Sequence, residues 1–274
     1  MTTPVKLAAF AAVLAAVFGA AALAGGAVHS LHDPAAATAA EDMNMAADPI
    51  RGLAVSENGL TLDLTRHSAR PHTEFPLAFR ILGKGGRAVH EFDVEHTKRM
   101  HLIVVRRDLT GFQHLHPILR PDGTWTTPLT LPQAGTYRVF ADFSVDGKPT
   151  TLADDLQVDG DVHSRALPAP SKTAETDGFR LRLADGAVRA GQESELTFTV
   201  TRDCRPVSLQ NYLGAKGHLV ALREGDLAFL HVHPDANSLR FEASFPNAGM
   251  YRLFLQFQVA GRVHTAAFTL EVSR

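Results

Sequence analysis

The sequence predicts an all-β protein, two tandem immunoglobulin-like β-sandwich domains behind an N-terminal hydrophobic helix. Three observations carry that expectation. From Ile50 onward, short alternating or wholly apolar runs are broken by Gly, Pro, Asn and Asp, the pattern of strands and turns. No stretch there keeps a helical period for more than about two turns. An internal repeat divides the chain into two like halves, which fixes the domain count independently of propensity.

The chain begins with Lys6 and an uncharged Ala/Val/Leu/Phe run from Leu7 to Val28. Residues 1–28 therefore read as an export segment. The small residues Ala22-Leu23-Ala24 offer a cleavage site, yet the run also reaches the ~20 residues that span a bilayer. A cleaved signal peptide and an uncleaved membrane anchor both fit. Either places the rest of the chain outside the cytoplasm, secreted or anchored to the cell membrane. Residues 29–49 are rich in Ala, Asp and Pro without a period and read as a flexible spacer. His29, His32, Met43 and Met45 within it could hold soft or borderline metals loosely.

The remaining length suits two sandwiches, each with its own core. Apolar residues make up 45% of the 274-residue chain and charged residues 20%, so the bulk should fold. The formal net charge of −2, with no sustained run of Lys or Arg, lacks the footprint of a nucleic-acid binder. Nucleic acid is excluded as a partner on that ground. Cys204 is the one cysteine, so no disulfide can form within the chain, and its place in "TRDCRPV" reads as a turn.

Self-similarity sets the domain limits. "MHLIVVRRDLTGFQHLHP" matches "GHLVALREGDLAFLHVHP" at an offset of 117 residues, and "LPQAGTYRVFADFSVDGKPTT" matches "FPNAGMYRLFLQFQVAGRVHT" at 114. Repeat 1 is placed at 50–160, a Pro/Ala-containing linker at 161–175 and repeat 2 at 176–274.

Histidine is in excess, 14 residues, and each repeat carries His-x12-His-x-His-Pro. The residues are His101, His114 and His116 in the first and His218, His231 and His233 in the second. Each set spans an apolar strand, a polar turn and a second strand, the sequence of a hairpin. Opposed residues of a hairpin share a face, as do residues two apart along a strand. An index sum of 215 sets His101 opposite His114, with His116 diagonally adjacent, and a sum of 449 does the same for His218, His231 and His233. A slip of one residue would break the convergence. Ile103, Val105 and Phe112 share the histidine face, so the triad is expected where the apolar core face of a sandwich reaches its end.

Three neutral imidazoles suit copper, zinc or nickel and leave a further coordination position open. Structural, hydrogen-bonded histidines at the strand ends are the alternative. Asp142, matched by Gln256, could orient a ligand ring; His96 has no histidine counterpart in repeat 2, and His264 answers to Thr150. These three are accessory candidates. No Cys stands among the histidines, which disfavours blue-copper electron transfer. No carboxylate recurs as a general base in both halves, so an enzyme is not expected.

With their paired motifs, "VEHTKRMHLIVVRRDLTGFQHLHP" and "YLGAKGHLVALREGDLAFLHVHP" resemble an actinobacterial family of secreted or membrane-anchored proteins, often labelled heavy-metal-associated or possible copper-tolerance proteins, with YtkA-like β domains. The resemblance implies metal handling by the six motif histidines, copper first and zinc as the alternative. The expected function is sequestration, tolerance or delivery of the ion to a partner. A non-catalytic envelope interaction module is the second reading. Members with longer His-rich spacers differ from this chain, whose spacer holds only His29 and His32.

Overall fold

The computed structural model describes residues 50–274 other than His231, and the side chain of His233 also lies outside the description. The export segment, the spacer and its metal-binding candidates therefore fall outside it, as does the second and third histidine geometry of repeat 2. Among the described residues no helix is long and apolar enough to cross a membrane.

Each repeat is an immunoglobulin-like sandwich of two sheets. Repeat 1 holds β1 (Ser56–Glu57), β2 (Leu60–Leu64), β3 (Ser68–Ala69), β4 (Phe75–Leu82), β5 (His101–Arg106), β6 (Gln113–Leu115), β7 (Ile118–Leu119), β8 (Trp125–Leu129), β9 (Gly135–Val145) and β10 (Lys148–Val158). Repeat 2 holds β11 (Thr173–Thr176), β12 (Phe179–Leu183), β13 (Glu193–Arg202), β14 (Arg205–Pro206), β15 (Gly217–Arg223), β16 (Phe229–Leu230), β17 (His233–Pro234), β18 (Arg240–Ser244), β19 (Gly249–Val259) and β20 (Arg262–Val272). One sheet of repeat 1 runs β1-β2-β4-β8-β7 and the other β3-β10-β9-β5-β6. Repeat 2 answers with β11-β12-β13-β18-β17, β14 flanking β13, and with β16-β15-β19-β20.

Alternation builds the two sandwich cores. Phe75, Leu77, Phe79 and Ile81 point inward from β4 and meet Leu102 and Val104 of β5 and Val139 and Ala141 of β9. Leu196, Phe198 and Val200 of β13 play the same part against Leu253, Leu255 and Phe257 of β19. Cys204 is exposed and sits with Asp203 in a two-residue turn, φ 59° and 50°, between β13 and β14.

Strand β5 breaks the alternation, being buried at all six positions. Its second face, Ile103 and Val105, does not enter the core of repeat 1. Together with Leu109, Phe140 and Ala153 it packs against Val220, Leu222, Leu227, Phe229 and Phe254 of repeat 2. The expectation that this face is the end of a sandwich core is thus corrected. It is the contact between the repeats, and the described residues fall in one compact unit.

The contact is quasi-two-fold. Phe112 stacks on Phe254 with centroids 4.1 Å apart, and the corresponding residues Phe229 and Phe140 meet at 5.6 Å. The strap before β1 crosses it: Phe229 N donates to Arg51 O, and Gly52 N donates to Thr151 O. Gly52 (φ 72°) is required there, since a Cβ would come within 2.8 Å of both Phe140 and Phe229.

The expected linker, 161–175, is docked rather than loose. Arg165 N donates to Asp108, Arg106 donates to His163 O at 3.1 Å, and Leu167 packs against the inter-repeat apolar cluster. Its last three residues, from Thr173, already belong to β11.

Candidate metal centre

The β5–β6 hairpin pairs Leu102 with Leu115 and Ile103 with His114, an index sum of 217 rather than 215. In repeat 2, Ala221 pairs with Leu230, a sum of 451 rather than 449. Both registers differ from expectation by two residues, the one error that leaves every side chain on its face. The cause lies in the turn. Arg106 N donates to Thr110 O, Leu109 takes φ 62°, and the Asp108 carboxylate accepts from Thr110 N, Thr110 Oγ1 and the Arg106 guanidinium. Asp108 is held far below the usual carboxylate range: burial opposes this, but the Arg106 and Thr110 hydrogen bonds outweigh it.

The structure brings His101, His114 and His116 together, one ligand nitrogen of each lying within 4.8 Å of the others. Ring centroids are 5.2 Å apart for His101 with each partner and 4.8 Å for His114 with His116. His101 is 3% exposed. Its Nε2 makes a hydrogen bond with Glu95 O at 3.1 Å, and His114 Nδ1 makes one with Gln256 Oε1 at 2.7 Å. Gln256 Nε2 donates to Thr265 Oγ1 at 3.2 Å, so the amide that meets His114 is held at both ends.

His101 Nδ1 and His114 Nε2 make a hydrogen-bond contact at 3.0 Å, with the proton on one of the two nitrogens. An ion that takes both nitrogens as ligands displaces that proton.

Protonation is opposed by the surroundings. Burial, then the neighbouring His101 and His116, pushes His114 down to about 3. Burial and His101, with Lys98 adding, bring His116 to about 4. His218 is held well below its ordinary value by burial and then by His114 and His101. Neutral imidazole is the form a metal needs. His116 Nε2 is buried and has no hydrogen-bond partner among the described residues, an arrangement that costs about 1–3 kcal/mol when nothing offsets it.

Repeat 2 contributes His218 to the same cluster. Its ring stacks on His101 at 5.3 Å and 11° and on His114 at 4.9 Å and 27°. His218 pairs with Gln256 across β15–β19, as His101 pairs with Asp142 across β5–β9. His231 lies outside the described residues. The β15–β16 ladder ends at Leu230, and the backbone of His233 pairs with Glu242 in the opposite sheet.

The accessory candidates divide. His96 reaches the cluster, 5.4 Å from His218 and 6.1 Å from His101 between centroids. It occupies a tight turn, Glu95–Lys98, with His96 and Thr97 at φ 45° and 69°. Asp142 lines a small cavity with His96, His101 and His218 and accepts from Thr151 Oγ1 at 2.7 Å. Burial raises its pKa, against the Thr151 hydrogen bond and the positive charge of nearby groups.

His264 is placed elsewhere. It stacks on Phe257 and Phe179 in the core of repeat 2 and donates from Nδ1 to Asp177 at 2.7 Å. It is one residue away from Thr265, and that single step puts it on the opposite face of β20. Sequence reasoning undervalued Gln256, treated only as the mismatch to Asp142. Its offset of 114 from Asp142 was the available signal.

A model of a domain of unknown function, DUF8832, matches this chain twice, over residues 54–160 and 174–274. No curated protein matches it. Solved structures with similar folds include the adhesin FdeC of Escherichia coli, at 16% identity over 81% of this chain and 66% of that one, TM-score 0.29. The elastase-activated alpha-2-macroglobulin of Escherichia coli is 13% identical over 78% of this chain, TM-score 0.28, and the chain spans only 20% of its length. A chimeric titin Z1Z2 tandem is 13% identical over 78% of this chain and all of that one, TM-score 0.21.

Proposed function

We propose that this protein, which belongs to the family of the domain of unknown function DUF8832, is a non-catalytic, extracytoplasmic metal-binding protein that holds one copper ion at the junction of its two repeats. His101, His114 and His116 are the ligands. The observation that carries this reading is the convergence of the three imidazoles, one ligand nitrogen of each lying within 4.8 Å of the others, with His101 and His114 each held by an outward hydrogen bond. Oriented rings backed by carbonyl acceptors are the usual support of ligand histidines. His116 Nε2, without a hydrogen-bond partner among the described residues, supplies a third donor.

Copper is placed before zinc because imidazole donors bind copper(II) more tightly than zinc(II). This differs from the expectation of one site in each repeat, because His218 packs on the rings of the first trio. The uncharged run Leu7–Val28 supports export, with the chain released or held at the membrane. Sequestration or handover to a delivery partner is the role such a site suits.

Competition titration of the purified protein with Cu(II) and Zn(II) tests the reading. One equivalent of copper should bind, with His114→Ala and His116→Ala each losing about 100-fold or more, beyond the 10–100-fold typical of supporting residues. Copper binding that survives both substitutions would leave the histidines as structural, the reading of an envelope interaction module.

A further inference from the structure

We infer that Gln256 of repeat 2 is a positioning residue for His114 of repeat 1, so that loading of the ion and docking of the two repeats are one coupled event. The inference rests on the metal-binding reading and extends it to what controls the site. The trio comes from one repeat, yet a hydrogen bond that orients the His114 ring comes from the other, between its Nδ1 and Gln256 Oε1 at 2.7 Å. The amide is itself held by Thr265 Oγ1, and both residues lie on the inter-repeat face of their strands, paired directly in the β19–β20 ladder.

The path is therefore short and continuous: ion, His114, Gln256, Thr265. If the repeats part, the His114 ring loses the hydrogen bond that fixes its orientation toward His101 and His116. Docked repeats favour the ion, so by reciprocity the ion favours docked repeats by the same factor. His218 strengthens the dependence, since its ring covers His101 and His114 from the side of repeat 2. Repeat 1 alone should accordingly be a poor binder although it owns all three ligands.

The experiment compares Gln256→Leu, Gln256→Glu and Thr265→Val in the full chain. Gln256→Leu removes the acceptor and should weaken Cu(II) binding by about 10–100-fold and alter the copper electron paramagnetic resonance signature. Gln256→Glu keeps an acceptor at the same reach and should restore wild-type binding or better. Thr265→Val, which frees the amide without removing it, should fall between. In the metal-free protein, the slowly exchanging His114 Nδ1–H proton resonance should be present in wild type and Gln256→Glu and absent in Gln256→Leu. If wild type binds copper through His114 and Gln256→Leu matches it in affinity and spectrum, the coupling is wrong while the site stands. If wild type binds no copper, the site itself is wrong, and the proton resonance still reports whether Gln256 holds the His114 ring.

Discussion

The two repeats meet face to face with nearly the same parts and a different chemistry at each half. Both have the hairpin whose turn is closed by an Arg–Asp pair, Arg106–Asp108 and Arg223–Asp226. Both place a phenylalanine of the second hairpin segment on a phenylalanine of the partner's long strand. Where repeat 1 has His96, Thr97 and Asp142, repeat 2 has Leu213, Gly214 and Gln256. The apolar part of the contact kept its symmetry while the polar part specialised. One repeat carries the histidine trio, and the other packs His218 and the Gln256 amide against it.

The largest effect should come from breaking the shared apolar contact. Phe254 is 4% exposed and stacks flat on Phe112. Phe254→Ala should cost about 3–5 kcal/mol, the range for truncating a buried aromatic. Calorimetry should still give one transition, because the ten-residue inter-repeat cluster makes independent melting unfavourable. Two separated transitions in the wild-type protein would show that the repeats fold apart and that the interface is weaker than its burial implies.

The next effect separates the polar half of the contact from the apolar half through pH. In the folded, metal-free protein His114 and His116 titrate near 3 and 4 and His218 well below its ordinary value, against about 6.5 in the unfolded chain. The unfolded state thus binds more protons between those limits. Stability from these groups is full above pH 6.5 and is lost as the pH falls toward 4, with a slope of about 1.4 kcal/mol per pH unit for each proton of difference. Denaturant midpoints measured from pH 7.5 to 4.5 should fall steadily, and His116→Ala should flatten the slope. A flat wild-type profile would mean that these rings are solvated and protonate freely.

Much of this was legible in the sequence, and the illegible remainder has identifiable causes. Strand alternation in "PLAFRIL" and "ELTFTV" and the 117-residue offset carry the two sandwiches. The unbroken apolar run "LIVV" in "HLIVVR" carries a further message, since a strand apolar on both faces is covered on both sides; its second cover is the other repeat. Hairpin register was off by two because the loop wraps the Asp108 carboxylate and uses a left-handed Leu109, neither of which index counting can weigh. His264 and Gln256 illustrate a harder limit. They sit on opposite faces of neighbouring strands, and only the packing of one repeat against the other decides which face meets the histidines.

The smallest effect tests the specialised turn. Glu95–Lys98 and Tyr212–Ala215 are the same bridge in the two repeats, with Thr97 at φ 69° where repeat 2 has Gly214 at φ 87°. A β-branched residue in the left-handed region is strained, by roughly 1–2 kcal/mol. Glycine escapes that strain but loses about 0.4–1 kcal/mol through the freer unfolded chain. Thr97→Gly should therefore stabilise by up to about 1 kcal/mol and leave copper binding unchanged, because the Glu95 carbonyl that holds His101 stays in place. Gly214→Thr should cost up to about 1 kcal/mol, the strain less the gain from the stiffer unfolded chain, since a Cβ there would lie an ordinary 3.6 Å from Thr97 Cγ2. Thermal denaturation of both variants reads the sign directly. A destabilised Thr97→Gly would mean that the threonine methyl, packed against the matching turn of repeat 2, contributes more to the contact between repeats than its backbone strain takes away.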